Sequence, residues 1–178
     1  MEKFVNRENI YNGKVINVVK DEILINDSQK SYREVVLHNG GACIALKNKE
    51  GKYLLVKQYR YAQQDYMYEF CAGKLEKDED PLEAIKREAI EETGYEAKNI
   101  KQYPFMAPTC GYCAEKIYLF SGEVDAFKGQ KFDDDENVEI VELSLKEIVE
   151  MIDDGRIYDA KTICIVYHLL KEKLNGKC

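Results

Sequence analysis

Glu88, Glu91 and Glu92 stand at i, i+3 and i+4 in the segment GKLEKDEDPLEAIKREAIEETGY, residues 73–95. On an α-helix, residues so spaced lie within about 100° of arc on one face. Like charges at that spacing repel, weakening a helix by roughly a few tenths of a kcal/mol per pair. Arg87 reaches Glu91 at i+4 but cannot neutralise all three acids. A bound cation removes the conflict, so the segment reads as a divalent-metal site. Carboxylates are hard oxygen donors of the kind Mg²⁺ prefers. Such ions can orient an attacking water and lower its pKa.

The helix that must carry these acids is clearly punctuated. Asp80 is a natural N-cap, Pro81 fits the first helical position, Glu83 completes a D-x-x-E capping box, and Gly94 supplies the stop. Leu82, Ile85 and Ala89 fall together beside the acidic stripe and can bury against a sheet. Around it the chain reads as short strands: GKVINVV, EILIN, SYREVVL, ACIALK, KYLLVKQYR, YMYEF, EKIYLFSGEV and NVEIVEL. The polar turn Lys49-Glu50-Gly51 joins ACIALK to KYLLVKQYR as a hairpin. Two further helices are expected, SLKEIVEMIDDG and DAKTICIVYHLLKEKLNG, the second packing through Ile163, Val166, Leu169 and Leu170. Many strands with a few strong helices predict an α+β fold.

The bulk properties narrow the partners. The 178 residues suit one globular domain with room for a small appendage. A net charge of −7 excludes general binding to nucleic acid or anionic membranes, while leaving room for an anionic small molecule held through metal ions. No apolar run approaches the ~20 residues of a membrane span. Six cysteines without an apolar leader imply a reducing compartment, so the expected location is cytoplasmic. Cys110-Gly111-Tyr112-Cys113 lacks the second pair of a zinc site, and His38 and His168 read as structural.

Read by spacing, the acidic segment is Gly73, five residues, Glu79, seven residues, Arg87-Glu88, two residues, Glu91-Glu92, one residue and Gly94. It resembles the Nudix box, G-x5-E-x7-R-E-U-x-E-E-x-G-U, at all seven charged and glycine positions; Ala89 and Tyr95 replace the bulky aliphatic residues U. The flanking stretches YREVVLHNGGA, LLVKQYRYA, YEFCAGKLE, GYCAEKIYLFSGEV and GRIYDAKT are similar to ADP-ribose pyrophosphatases of that family. Asn39, Cys71 and Cys110 stand where those enzymes often carry proline, the last of these prolines being a marker of the ADP-ribose-specific subgroup.

The resemblance implies a Nudix fold, a mixed β-sheet between helices (an α/β/α sandwich), with residues 1–39 as an N-terminal β-rich dimerisation arm and 40–178 as the hydrolase domain. It implies metal-dependent hydrolysis of a nucleoside diphosphate linked to another group, foremost ADP-ribose to AMP and ribose 5-phosphate. The alternatives are another nucleotide sugar or a dinucleoside polyphosphate, or a catalytically silent nucleotide-binding regulator. The cofactor is Mg²⁺, with Mn²⁺ as an alternative. Carried over by position, Glu88, Glu92 and the Ala72 carbonyl hold metal, Glu91 adds a ligand or a water, and Arg87 orients the acids. In the acidic loop, Glu136 is a further metal ligand and Asp134 the general base. Arg60 pairs with phosphate, Glu69 and Glu115 with ribose hydroxyls or the metal, and Tyr32 and Arg33 reach the site of a second subunit in a homodimer with exchanged arms.

Overall fold

A run such as ACIALK, apolar at nearly every position, belongs to a strand covered on both faces. The computed structural model, which describes residues 1–131 and 138–176, places it at the centre of a mixed sheet. In chain order the elements are β1 (Glu2–Asn12), β2 (Asn17–Ile25), β3 (Gln29–Leu37), β4 (Gly41–Lys47), β5 (Tyr53–Arg60) and β6 (Asp65–Lys74). Then follow α1 (Pro81–Glu88), a π-helical turn (Ala89–Thr93), β7 (Tyr95–Gln102), β8 (Ile117–Phe127), β9 (Val138–Leu143), α2 (Leu145–Asp153) and α3 (Ala160–Leu174).

The chain divides into two compact units: residues 1–40 with 107–116, and residues 41–106 with the chain from Ile117 onward. In the first, β1, β2 and β3 form an antiparallel sheet. The expected segments GKVINVV and EILIN are one strand, β2. Gly13–Ile16 is instead the turn into it, closed by the Gly13 N–H donating to the Ile16 carbonyl at 3.0 Å. The loop 107–116 docks on β3, where the Val36 N–H donates to the Tyr112 carbonyl at 2.8 Å and the Ala114 N–H to the Val36 carbonyl at 2.9 Å.

The second unit holds a six-stranded sheet in the order β7-β8-β4-β6-β5-β9, with β4 and β8 parallel and the other neighbours antiparallel. Alternation along β4 sends Cys43 and Ala45 to one face and Ala42, Ile44 and Leu46 to the other. The first face joins Leu55, Phe70 and Leu119 in a core with Ile148 of α2 and with Ile165, Val166 and Leu169 of α3. The second joins Leu54, Phe120 and Val124 in a core with Ala84 and Ile85 of α1. Helices thus cover both faces, the expected α/β/α sandwich.

Three local expectations are corrected. The face α3 buries is Thr162, Ile165, Val166 and Leu169, while Leu170 is exposed. The β4–β5 hairpin is joined only beside its turn, Leu46↔Leu54 and Lys47↔Tyr53, because β6 pairs with residues 41–44 of β4. EKIYLFSGEV begins its strand at Ile117, which leaves Glu115 in the preceding loop.

Candidate active site

Asp80 opens α1 by accepting from the N–H groups of Leu82 at 2.9 Å and Glu83 at 3.2 Å. Of the expected capping box, the Asp80 half forms, while Glu83 instead accepts from Lys86 at 2.7 Å. Ile85 and Ala89 are fully buried beneath the helix. Beyond Glu88 the helix widens into the π turn, a departure often seen at functional sites. The Thr93 hydroxyl donates to the Ala89 carbonyl at 2.5 Å, and Gly94 closes the turn at φ 79°. The carbonyls of Glu91 and Glu92, left over at this helix end, accept from the Lys131 N–H at 3.0 Å and the Gln130 side-chain amide at 2.8 Å.

The widened turn separates acids that a regular helix would keep in one stripe. Glu92 points inward and is only 5% exposed, its Oε2 accepting from the Ala72 N–H at 3.2 Å. Ala72 therefore stands at the site, with its N–H rather than its carbonyl turned to Glu92. Glu88 and Glu91 share Arg87, whose Nη1 donates to both, at 2.9 and 3.0 Å. Its other nitrogens reach Glu79 at 3.3–3.4 Å. Burial opposes the charge on Arg87, but Glu88, Glu79 and Glu91 outweigh it and raise its pKa. Gly73 gives Glu88 its room: a Cβ there would lie 1.9 Å from the Glu88 carboxyl carbon.

Among the described residues, no three His, Cys, Asp or Glu side chains already converge as a closed metal site. Arg87 holds two of the box acids and draws them to itself. The donors nevertheless fit a hard cation, because Glu88, Glu91 and Glu92 are carboxylates grouped on the end of α1 and its π turn, with Glu92 against the β6 backbone. Asp134 and Glu136 lie outside the described residues.

A second polar group lies on the same unit. Arg60, the last residue of β5, donates from Nε and Nη2 to the two oxygens of Glu69 at 2.6 and 2.8 Å. Glu69 is 2% exposed and also accepts from Lys161, which in turn donates to Asp159 at 2.9 Å. Burial alone would raise the Glu69 pKa, but the Arg60 hydrogen bonds and the Lys161 charge hold it down at about 2. Lys161 and Asp159 escape a reading of the sequence, where D-A-K looks like an ordinary exposed helix start. Their signal is a lysine in the first turn of α3, where the helix dipole disfavours positive charge.

The remaining candidates lie on the first unit. The Tyr32 ring is exposed under the Lys20 ammonium at 4.7 Å. Arg33 pairs with Glu2, and its Nη1 donates to the Tyr32 carbonyl at 2.8 Å. Glu115 lies 3.4 Å from His38 Nδ1, which accepts from the Gly40 N–H at 3.0 Å.

A helix-borne set of carboxylates gathered by Arg87, with Arg60 half-open on the same unit, suits water attack on a phosphoanhydride. A family model described as the NUDIX domain matches residues 37–164. The chain belongs to the Nudix family and is a pyrophosphohydrolase of that divalent-metal-dependent class. It is 34% identical to an ADP-ribose pyrophosphatase of Bacillus subtilis, covering 99% of this chain and 97% of the relative. Identity is 36%, with the same coverage, to a methanol dehydrogenase activator of Bacillus methanolicus. A GDP-mannose pyrophosphatase of Pectobacterium atrosepticum is 35% identical over 79% of this chain and 78% of its own. A solved structure described as an ADP compounds hydrolase shares the fold, with a TM-score of 0.85 at 16% identity, covering 99% of this chain and 97% of that one.

Proposed function

We propose that the protein hydrolyses ADP-ribose to AMP and ribose 5-phosphate, with Mg²⁺, or Mn²⁺ in its place, as the cofactor. The observation that carries this reading is the gathering of Glu88 and Glu91 about Arg87, with Glu92 turned to Ala72 on β6. Glu88, Glu91, Glu92 and the Ala72 backbone would hold the metal, Glu136 adding a ligand. Bound there, the ion supplies charge neutralisation for the diphosphate and a more acidic water. Arg87 would keep Glu88 and Glu91 oriented for the cation. Asp134 takes the proton as water adds to one phosphorus and the bridging oxygen leaves on the other. Lys131, which precedes that loop, is tied to the Glu91 carbonyl, and this supports its assignment.

Arg60 faces the phosphates, a role suited to its forked donors. Glu69 and Glu115 serve the ribose. Tyr32 and Arg33 contribute from a second subunit through exchange of residues 1–39, leaving 40–178 as the hydrolase domain. Exposure along all of β1 supports that dimer. Among the described residues no helix is long and apolar enough to cross a membrane, and the proposed location is the cytoplasm.

The relatives named GDP-mannose pyrophosphatase support a second reading, another nucleotide sugar as substrate. Purified protein with Mg²⁺ should be given ADP-ribose, GDP-mannose and dinucleoside polyphosphates, with the products separated chromatographically. AMP and ribose 5-phosphate from ADP-ribose at the highest kcat/KM are expected. Preference for GDP-mannose would replace the specific assignment, and hydrolysis of nothing in the panel would remove it.

A further inference from the structure

Lys161 occupies a costly position. Its ammonium is almost wholly withdrawn from water, with 12% of the side chain exposed. It sits in the first turn of α3 beside the N-cap Asp159, where the helix dipole opposes it. A buried charge is retained only where partners compensate it. Here they are two carboxylates, Asp159 on its own helix and Glu69 on β6. Three helix-side contacts lock this corner: Asp159 accepts from the Thr162 N–H at 2.9 Å, and the Thr162 hydroxyl accepts from the Phe70 N–H at 2.9 Å. The third is the Lys161–Asp159 bond itself.

The far end of the chain is different. Glu69 uses both oxygens on Arg60, and Arg60 uses Nε and Nη2 on Glu69. Among the described residues the remaining guanidinium nitrogen, Nη1, makes no hydrogen bond, and 39% of the side chain is exposed. The row Asp159–Lys161–Glu69–Arg60 alternates in sign, is buried at one end and opens at the other. Arg60 also feels the charge of Glu92. Glu69 is three residues along β6 from Ala72, a spacing of roughly 10 Å on a strand.

We propose that Lys161 is a positioning residue that acts through Glu69 to set the Arg60 guanidinium for a phosphate oxygen of the substrate. This rests on the reading of Arg60 as a phosphate contact. By sharing the Glu69 charge, Lys161 keeps that carboxylate fixed in the plane that holds Arg60, so that Nη1 faces outward before substrate arrives. Without Lys161, Glu69 has Arg60 as its one remaining ion-pair partner among the described residues and draws the guanidinium inward.

The test is a double-substitution cycle in the whole protein, with ADP-ribose at saturating Mg²⁺, and with the folded fraction followed by thermal unfolding. Arg60→Gln should raise KM about ten- to hundredfold with little change in kcat, the loss of one hydrogen bond to a charged group. Lys161→Met should raise KM in the same direction, and the double variant should be no worse than Arg60→Gln alone. Lys161→Arg, which keeps the charge, should restore most of the affinity. A Lys161→Met effect that multiplies with Arg60→Gln, or that lowers only the folded fraction, overturns the proposal. Should Lys161→Met fail to fold, Lys161→Gln replaces it in the same cycle, with the same two outcomes. Arg60→Gln with unchanged KM would remove the reading of Arg60 and this proposal together. A raised KM in Arg60→Gln beside an unchanged one in Lys161→Met removes the proposal alone.

Discussion

The carboxylate of Glu88 occupies the space a side chain at position 73 would fill, so this one glycine sets where that acid can stand. Gly73→Ala should fold, because the atoms displaced are the end of a flexible side chain. It should nevertheless lower kcat/KM by about 10- to 100-fold, the range seen when a metal ligand loses its support; steady-state assays across Mg²⁺ concentrations check this. Glu92→Gln preserves volume and an acceptor for the Ala72 N–H, so its melting temperature should stay near wild type while turnover falls by more than about 100-fold. Wild-type turnover at saturating Mg²⁺ would contradict the ligand role. Glu69 sets a pH dependence. Its folded pKa of about 2 lies below the ordinary 4.5. A depressed carboxylate stabilises the fold above its unfolded pKa and loses that contribution as pH falls from 4.5 toward 2. The effect is about 3 kcal/mol at most, and urea unfolding at pH 6 and pH 3 should show it shrinking in wild type but not in Glu69→Gln.

At the scale of elements, the helix start at Asp80, the buried Ile85 and the stop at Gly94 are legible in the sequence because each depends on residues a turn apart. The π turn is not, since it depends on Gln130 and Lys131 from beyond β8 to satisfy the carbonyls it exposes. Likewise β7, YEAKNIKQ, carries little apolar alternation because it is an edge strand, paired among the described residues to β8 alone. β1 is equally hidden, its polar sequence holding to β2 through Arg7 and Asp21 at 2.7 Å. The box acids were readable as a group, but their division into an inward Glu92 and an Arg87-bound pair follows from the widened turn. Gly94→Ala should test that turn. A Cβ there meets Phe127 at 2.5 Å in a backbone that L residues rarely adopt. A loss of about 1–3 kcal/mol is expected in chemical denaturation.

For the whole molecule, eleven residues of β1 remain exposed along their full length, with Phe4, Val5, Ile10 and Tyr11 among them. An open strand edge with apolar side chains invites another chain. Light scattering should find a dimer for the full chain and a monomer after deletion of residues 1–12; a full-length monomer at micromolar concentration would oppose arm exchange. The parallel register of β4 with β8, Gly41↔Ile117 through Lys47↔Glu123, has a consequence in time. Those strands are separated in the chain by β5, β6, α1 and β7, so the central pair closes only after a long search, and such topologies fold slowly. The helix is short and is held by packing on the sheet, so its acids have neither the β6 backbone nor Lys131 to meet until that closure. Refolding from urea should therefore show catalytic activity arriving with the slowest phase.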